Sequence, residues 1–467
     1  MLKDESWPLA RLIPISSASG VEAQERRAVS ALLAVMSAVD EFGRGLLKPL
    51  GAPAGRIEAF IEVPFKVNSV PVRPDGILSV TRGGSTWAAL IEGKTAQNTI
   101  ERAQLDLYID LARELDLDCV ITISNQFSSS SSAYPVDVDR RRLRKVTLHH
   151  WSWVDVLTEA IVQKEHRGVA DPDQAYILGE LIRYLSDPRS GVMRFASMGS
   201  SWTSVRDGAR SGTLRSGDRN VAAVASRWDD LMRYVALDLT RELGRDVRQV
   251  LASRERAPEG RQQALQVSLL DRGVLYGELS VPSAAGTIVI AADLRAREIS
   301  ASTTIDAPQE GRSRGRVSWL LRQLTSAPAQ LKIESRAAYA SGTLACPLAD
   351  ARETPENLFP EGDREIKQFR LTLSKVPGPN RDAGKGSFAD SVVELTKQFY
   401  GQVLQPVHAW KEPAPKLVPR QPEAKEVQER VVETIPALAP AIRQAQLEAS
   451  NVAEDEAGRA DLGSQPA

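Results

Sequence analysis

Cysteine and histidine are scarce in this sequence, with 2 cysteines and 4 histidines among 467 residues. Cys119 and Cys346 lie in apolar segments without a CxxC partner, so neither a disulfide framework nor a zinc cluster is available. His149 and His150 are adjacent, but no cysteine or acid is spaced to complete a metal site with them. A packing or surface role is favoured for both histidines, and a reducing compartment suits the cysteines.

Long apolar runs are also missing, since no stretch approaches the roughly 18 residues of a membrane-spanning helix. The first residues carry acids and a proline where a signal peptide needs an apolar core. We expect a cytoplasmic protein with no membrane partner. The GxxxxGK[ST] and HExxH motifs are absent as well, which leaves helicase and zincin activities without support.

The formal net charge is only -1, so the chain as a whole does not attract nucleic acid. The charge is distributed unevenly, because residues 412–467 hold 10 acidic and 6 basic residues and leave 50 acidic and 53 basic residues in the rest. A mildly basic body permits DNA binding through local patches. Two basic clusters are candidates, one at 140–145 and the other comprising Arg312, Arg314 and Arg316.

The length predicts two domains with connecting segments. Residues 1–165 form the first predicted domain, and 166–219 a helix followed by a Gly/Ser/Arg-rich linker. Residues 220–410 form an α+β domain of unknown role, with helices at 220–243 and 317–324 and strands at 264–270, 274–281, 287–294, 331–333 and 337–344. Residues 411–467 form a proline-rich acidic tail that we expect to be disordered.

In the first domain, helical spacing of apolar residues predicts a helix at 21–39, preceded by an S-x-x-E capping box from Ser19 to Glu22. Three strands follow at 56–66, 70–80 and 86–94, then a helix at 99–115 and a buried strand at 119–123. A serine-rich loop at 126–133 leads to an edge strand at 146–153. The order helix, three-strand meander, helix, strand predicts an α/β domain.

Two acids and a lysine lie on neighbouring strands of this meander. Asp75 belongs to the second strand, and Glu92 and Lys94 share one face of the third because side chains alternate. Two carboxylates provide the hard oxygen ligands that Mg²⁺ prefers. The lysine can orient or help deprotonate an attacking water, or neutralise charge on a phosphate. The pattern predicts a phosphodiesterase site with Asp75, Glu92 and Lys94 as catalytic residues.

Six further residues extend this candidate site. Gln104 and Tyr108 share the apolar face of the second helix and are expected to contact a DNA backbone or support the metal ligands. Glu25 lies on the inward face of the first helix, where an acid needs a cation, so it is a candidate metal ligand with Asp75 and Glu92. Within the basic run, phosphate contacts are expected from Arg141, Arg142 and Arg144.

Three motifs carry a family resemblance: PDG with Asp75, ExK with Glu92 and Lys94, and QxxxY with Gln104 and Tyr108. Together they resemble the PD-(D/E)xK, or restriction-endonuclease-like, superfamily, and its RecB-like exonuclease branch in particular. The resemblance covers about residues 20–150 and implies a nuclease that acts on DNA with Mg²⁺ or Mn²⁺. Glu25 would match the family's acid on the first helix. Gly93 departs from the pattern, which usually has an apolar residue there, and predicts a locally weak or bulged strand.

The leading hypothesis is therefore a bacterial-type, metal-dependent deoxyribonuclease with a role in defence against foreign DNA or in repair. The alternative is a catalytically inactive nuclease-like fold that acts as a nucleic-acid-binding or protein-interaction adaptor. A third possibility is that the C-terminal α+β domain binds a protein partner or a signal and the first domain is its effector.

Overall fold

The structure is a computed structural model that describes residues 7–13, 20–67, 69–127, 134, 136, 138–193, 195, 197–338, 342–362, 364–379 and 384–411. The described residues all belong to one compact unit, Met1–Lys411. The predicted tail, Ser19 of the predicted capping box and most of the serine-rich loop lie outside the described residues. Among the helices that are described, none is long and apolar enough to cross a membrane.

The first part of the chain builds a mixed sheet between two layers of helices. Its elements are α1 (Gly20–Ala38), α2 (Asp40–Leu47), β1 (Arg56–Ile61), β2 (Phe65–Val67), β3 (Val70–Val72), β4 (Gly76–Arg82), β5 (Ser85–Gly93), α3 (Arg102–Glu114), β6 (Cys119–Ser124), β7 (Thr147–Ser152), α4 (Trp153–Val162) and α5 (Pro172–Ser186). The sheet order is β1-β4-β5-β6-β7. The meander β1-β4-β5 is antiparallel, and β6 and β7 continue it in parallel. The mixed α/β class is confirmed.

The first two predicted strands are each broken into two. Glu62 has a positive φ of 52° and Pro64 follows it, so the chain leaves β1 and forms the small β2–β3 hairpin. Pro74 then interrupts the second predicted strand, because proline has no N–H for a ladder hydrogen bond. Asp75 consequently lies just before β4 rather than within a strand.

Alternation along the strands divides the apolar residues between two cores. Ala89 and Ile91 of β5 pack with α1, α2, α4 and α5, whereas Ala88 and Leu90 pack with α3. Residues of α5 and Val192 belong to the α1 core, so this packing extends past residue 165. The sheet thus carries α1 on one face and α3 on the other, and both helices can contribute to a site at its end.

The second part has its own core and an antiparallel sheet. Its elements are α6 (Trp202–Ser211), α7 (Arg219–Leu243), β8 (Arg248–Gln249), α8 (Pro258–Arg272), β9 (Val274–Ser280), β10 (Ile288–Asp293), β11 (Glu298–Asp306), α9 (Ser313–Gln323), β12 (Lys332–Ala337), β13 (Leu344–Pro347), α10 (Leu348–Glu353), β14 (Ile366–Lys375) and α11 (Phe388–Phe399). The described strands are ordered β13-β12-β14-β11-β10-β9-β8.

Two predictions for this part are wrong. The expected strand at 264–270 is α8, in which Leu265 and Leu269 are buried four residues apart while Val267 is 49% exposed. The expected linker contains α6, whose Trp202, Val205 and Ala209 form a buried helical face. In both segments the sequence pattern is ambiguous, and contact with the core decides in favour of a helix.

Candidate active site

The meander brings Asp75, Glu92 and Lys94 to one end of the sheet. Gly76, the first residue of β4, pairs with Ile91 of β5, so Asp75 lies beside the end of β5. Glu92 is on the α3 face of the strand and is 2% exposed. The three predicted catalytic residues are therefore close together, on adjacent elements of one sheet.

Lys94 is fixed through both its main chain and its side chain. Its N–H donates to the carbonyl of Ile123 at 2.7 Å, and its carbonyl accepts from Nε1 of the buried Trp153 at 2.8 Å. Its Nζ lies 2.6 Å from Oε1 of Glu92 and 3.9 Å from Oε2 of Glu25. The ammonium group is thus held among the acids.

Burial and mutual repulsion dominate the electrostatics of the acids. Burial, and then the charge of Glu92, hold the pKa of Asp75 well above its usual value. Burial also raises the pKa of Glu92, although Lys94 opposes it. Burial alone would lower the pKa of Lys94, but the Glu92 carboxylate raises it. In the described part of the chain, Oε2 of Glu92 is buried without a hydrogen-bond partner.

Glu25 reaches the site from α1 but is largely engaged with the loop that follows β5. Its Oε1 accepts from the N–H of Thr95 at 3.1 Å and from Nδ2 of Asn98 at 2.8 Å. This carboxylate orients the segment after Lys94. Among the described residues, no group of three or more His, Cys, Asp or Glu side chains is arranged to hold a metal ion, and Oε2 of Glu25 lies 3.9 Å from Nζ of Lys94.

Gln104 and Tyr108 lie on α3 next to the acids. Nε2 of Gln104 donates to the Tyr108 hydroxyl at 3.0 Å, and that hydroxyl donates to the carbonyl of Arg73 at 3.3 Å. Burial and the neighbouring Glu92 carboxylate raise the pKa of Tyr108, which keeps the hydroxyl protonated. Tyr108 therefore connects α3 to the segment that carries Asp75, and Gln104 supports it.

Known proteins offer no relative from which these roles could be transferred. Protein-family models, curated proteins and solved structures give no match to this chain. The roles proposed for Asp75, Glu92 and Lys94 therefore rest on their chemistry and their surroundings alone.

The three predicted phosphate-binding arginines have different surroundings. Arg141 and Arg144 are exposed. Arg142 instead pairs with α3, at 3.4 Å from Asp106 and 3.6 Å from Asp110. Arg142 is thus paired with acids of its own domain, whereas Arg141 and Arg144 are exposed to solvent.

Sequence reasoning missed several residues that shape the site. Asn98 donates a hydrogen bond to the Glu25 carboxylate, and Trp153 donates one to the Lys94 carbonyl. On the sheet, Glu92 is in register with Thr122, and Thr122 with His150. His150 Nδ1 is 2.8 Å from the Thr122 hydroxyl, and its Nε2 is 3.0 Å from the carbonyl of Gln126.

Burial lowers the pKa of His150, so a neutral ring extends the polar row that starts at Glu92. A polar residue at alternate positions of a buried strand, such as Thr122 in β6, is the signal that could have indicated this row.

Proposed function

We propose that this protein is a metal-dependent nuclease that hydrolyses DNA phosphodiester bonds and that its first part is a restriction-endonuclease-like domain. The observation that carries the proposal is a pair of acids, half-buried Asp75 and buried Glu92, beside Lys94, which pairs with Glu92 and leaves one Glu92 oxygen without a partner among the described residues. Acids withdrawn from water are costly unless a cation compensates them. A role in defence against foreign DNA or in repair suits such an enzyme.

The donor set fits Mg²⁺ or Mn²⁺, because both carboxylates offer hard oxygens and Oε2 of Glu92 accepts no hydrogen bond from a described residue. Asp75 and Glu92 would hold the ion, and Glu25 is a candidate third ligand. The ion would supply a Lewis acid for the phosphate and for the attacking water. Lys94 contributes a fixed positive charge that stabilises the charge developing on the phosphate. Tyr108 and Gln104 hold the Asp75 segment in place.

A second candidate function is an inactive adaptor. It is favoured by the Lys94–Glu92 ion pair and by the contacts of Glu25, which neutralise or engage much of the cluster without a metal. Calorimetry distinguishes the two candidates. Mn²⁺ affinity that disappears in Asp75→Ala supports the enzyme, and no affinity in the parent protein supports the adaptor.

Cleavage assays test the nuclease directly. The purified chain is incubated with single- and double-stranded DNA and RNA, linear and circular, in Mg²⁺, Mn²⁺ or EDTA. We expect DNA cleavage that Asp75→Ala, Glu92→Ala and Lys94→Ala each abolish and that the exposed control Glu114→Gln retains. Activity that survives EDTA, or a Lys94→Ala protein as fast as the parent, would contradict this mechanism.

A further inference from the structure

A cavity of about 660 Å³ lies beside the second core, next to the segment that follows α5. It is lined by the end of α5, by Val192, Met193 and Phe195, by α7 and by the start of α11. Small-ligand sites commonly have volumes of about 300–1,000 Å³, so one nucleotide fits. The lining includes Met193, Phe195, Tyr234, Lys385, Ser387 and Asp390.

The walls combine aromatic rings with polar groups. Phe195 and Tyr234 have ring centroids 6.1 Å apart and planes inclined by 34°, and Phe127 packs against both of them. The lining also includes the cation Lys385, Ser387, which caps α11, and the acid Asp390 in the first turn of α11. Aromatic faces stack on nucleobases of any sequence, and a lysine beside a helix N-terminus attracts phosphate.

The cavity wall is bonded to the active-site loop. Met193 donates through its N–H to Oδ1 of Asn125 at 2.8 Å, and Nδ2 of the same asparagine donates to the carbonyls of Ala96 and Gly191 at 3.0 and 2.8 Å. The N–H of Ala96 donates to the carbonyl of Gly191 at 2.8 Å. Ala96 follows Lys94 by two residues, so these hydrogen bonds link the cavity wall to the segment that follows Lys94.

We propose that this cavity holds one unpaired base of the DNA strand on which the Asp75 and Glu92 site acts. The inference rests on the proposed nuclease function and adds a preference for single-stranded substrate. A base within a duplex is stacked and paired, and it enters such a cavity only after it is flipped out. An unpaired strand places a base there without that cost.

Fluorescence anisotropy in EDTA tests the proposal without any chemistry. The probes are a labelled single-stranded DNA of twelve nucleotides and the matching blunt duplex. We expect Tyr234→Leu to weaken single-strand binding roughly tenfold, since stacking on an aromatic side chain contributes about 1–3 kcal/mol per base, and to leave duplex binding unchanged. The control is Tyr176→Leu, because Tyr176 is 64% exposed and lies outside the cavity lining.

Lys385→Gln is a second variant, at an exposed position, and should weaken single-strand binding and reduce its salt dependence. Equal weakening for both probes, or for neither, overturns the proposal. Tight competition by free dAMP also overturns it, because the cavity would then be a site for a free nucleotide. If Tyr234-dependent binding occurs without any cleavage in Mg²⁺, the nuclease function fails and the base site stands.

Discussion

The N–H of Gly93 donates a 2.8 Å hydrogen bond to Oδ2 of Asp75. A Cβ at position 93 would lie 2.3 Å from Cγ2 of Val29, so glycine allows α1 to pack against the sheet where the amide meets the acid. Of the weak or bulged strand predicted here, the bulge is wrong, because β5 keeps its register with β6 as far as Gly93 opposite Ile123. Close packing of α1 accounts for a glycine at this position.

Gly93→Ala should therefore destabilise the protein by about 1–3 kcal/mol, the usual range for overpacking. Chemical denaturation monitored by circular dichroism measures the change. Gly84→Ala is the matched control, because nothing lies within 4 Å of a Cβ there. Val29→Ala removes the clashing methyl groups, so the double variant should be destabilised by less than the sum of the single ones. Strict additivity would show that the contact with Val29 is not the cause.

Asp75→Asn should raise the stability of the metal-free protein at neutral pH. The pKa of Asp75 is raised in the folded state by burial and by Glu92, so ionisation of this carboxyl is less favourable in the folded than in the unfolded protein. Below the unfolded pKa of about 4 the group is protonated in both states and has no effect. As pH rises above that value the parent loses stability, and the gap to Asp75→Asn widens.

Thermal melts in EDTA across this pH range, with Glu114→Gln as an exposed control, measure the gap. An asparagine variant that melts below the parent at pH 7 would indicate that the carboxylate itself is needed for folding.

Local patterns were sufficient to predict several elements around the site, although not α2 or the β2–β3 hairpin. The periodicity of α1 and α3, the continuous apolar run of β6 and the turn between β4 and β5 are each encoded within a few residues. The position of PDG and ExK on that framework then predicts that Asp75, Glu92 and Lys94 lie close together.

Contacts between distant residues could not be predicted in the same way. Glu25 and Asn98 are 73 positions apart, and no local pattern indicates that this carboxylate binds the loop after Lys94. Similarly, Leu265, Val267 and Leu269 alternate like a strand, and only packing against the second core selects the helix α8. Long-range packing overrides local preference at such positions.

Arg141 and Arg144 should contribute to DNA binding in a way that Arg142 does not. The double variant Arg141→Gln/Arg144→Gln should weaken binding and lower the salt slope by about 0.9 for each phosphate that is no longer neutralised. Arg142→Gln breaks pairs with Asp106 and Asp110 and should leave the slope unchanged. Anisotropy in EDTA at several salt concentrations compares them, and equal slopes for the double variant and the parent would exclude a phosphate role.

Arg233 of α7 and Asp155 of α4 connect the two cores through a 2.8 Å ion pair. Although burial opposes it, Arg233 and then Ser152 hold the pKa of Asp155 below its usual value. Arg233→Gln should therefore cost about 1 kcal/mol at neutral pH, and this cost should shrink as pH falls through the depressed pKa.

Thermal melts at neutral and acid pH measure this effect. Arg248→Gln, at a pair with 79% and 63% exposed side chains, should change little. A destabilisation in Arg233→Gln that is independent of pH would mean that packing, and not charge, joins α4 and α7.

The main chain at Lys94 is held independently of its side chain. Because Ile123 and Trp153 bind its backbone N–H and carbonyl, the side chain can be exchanged without removing the hydrogen bonds that fix the main chain. Shortening it would leave a gap among the acids whose walls remain in place. Position 94 is thus suited to chemical complementation, in which a small amine from solution replaces the missing ammonium group.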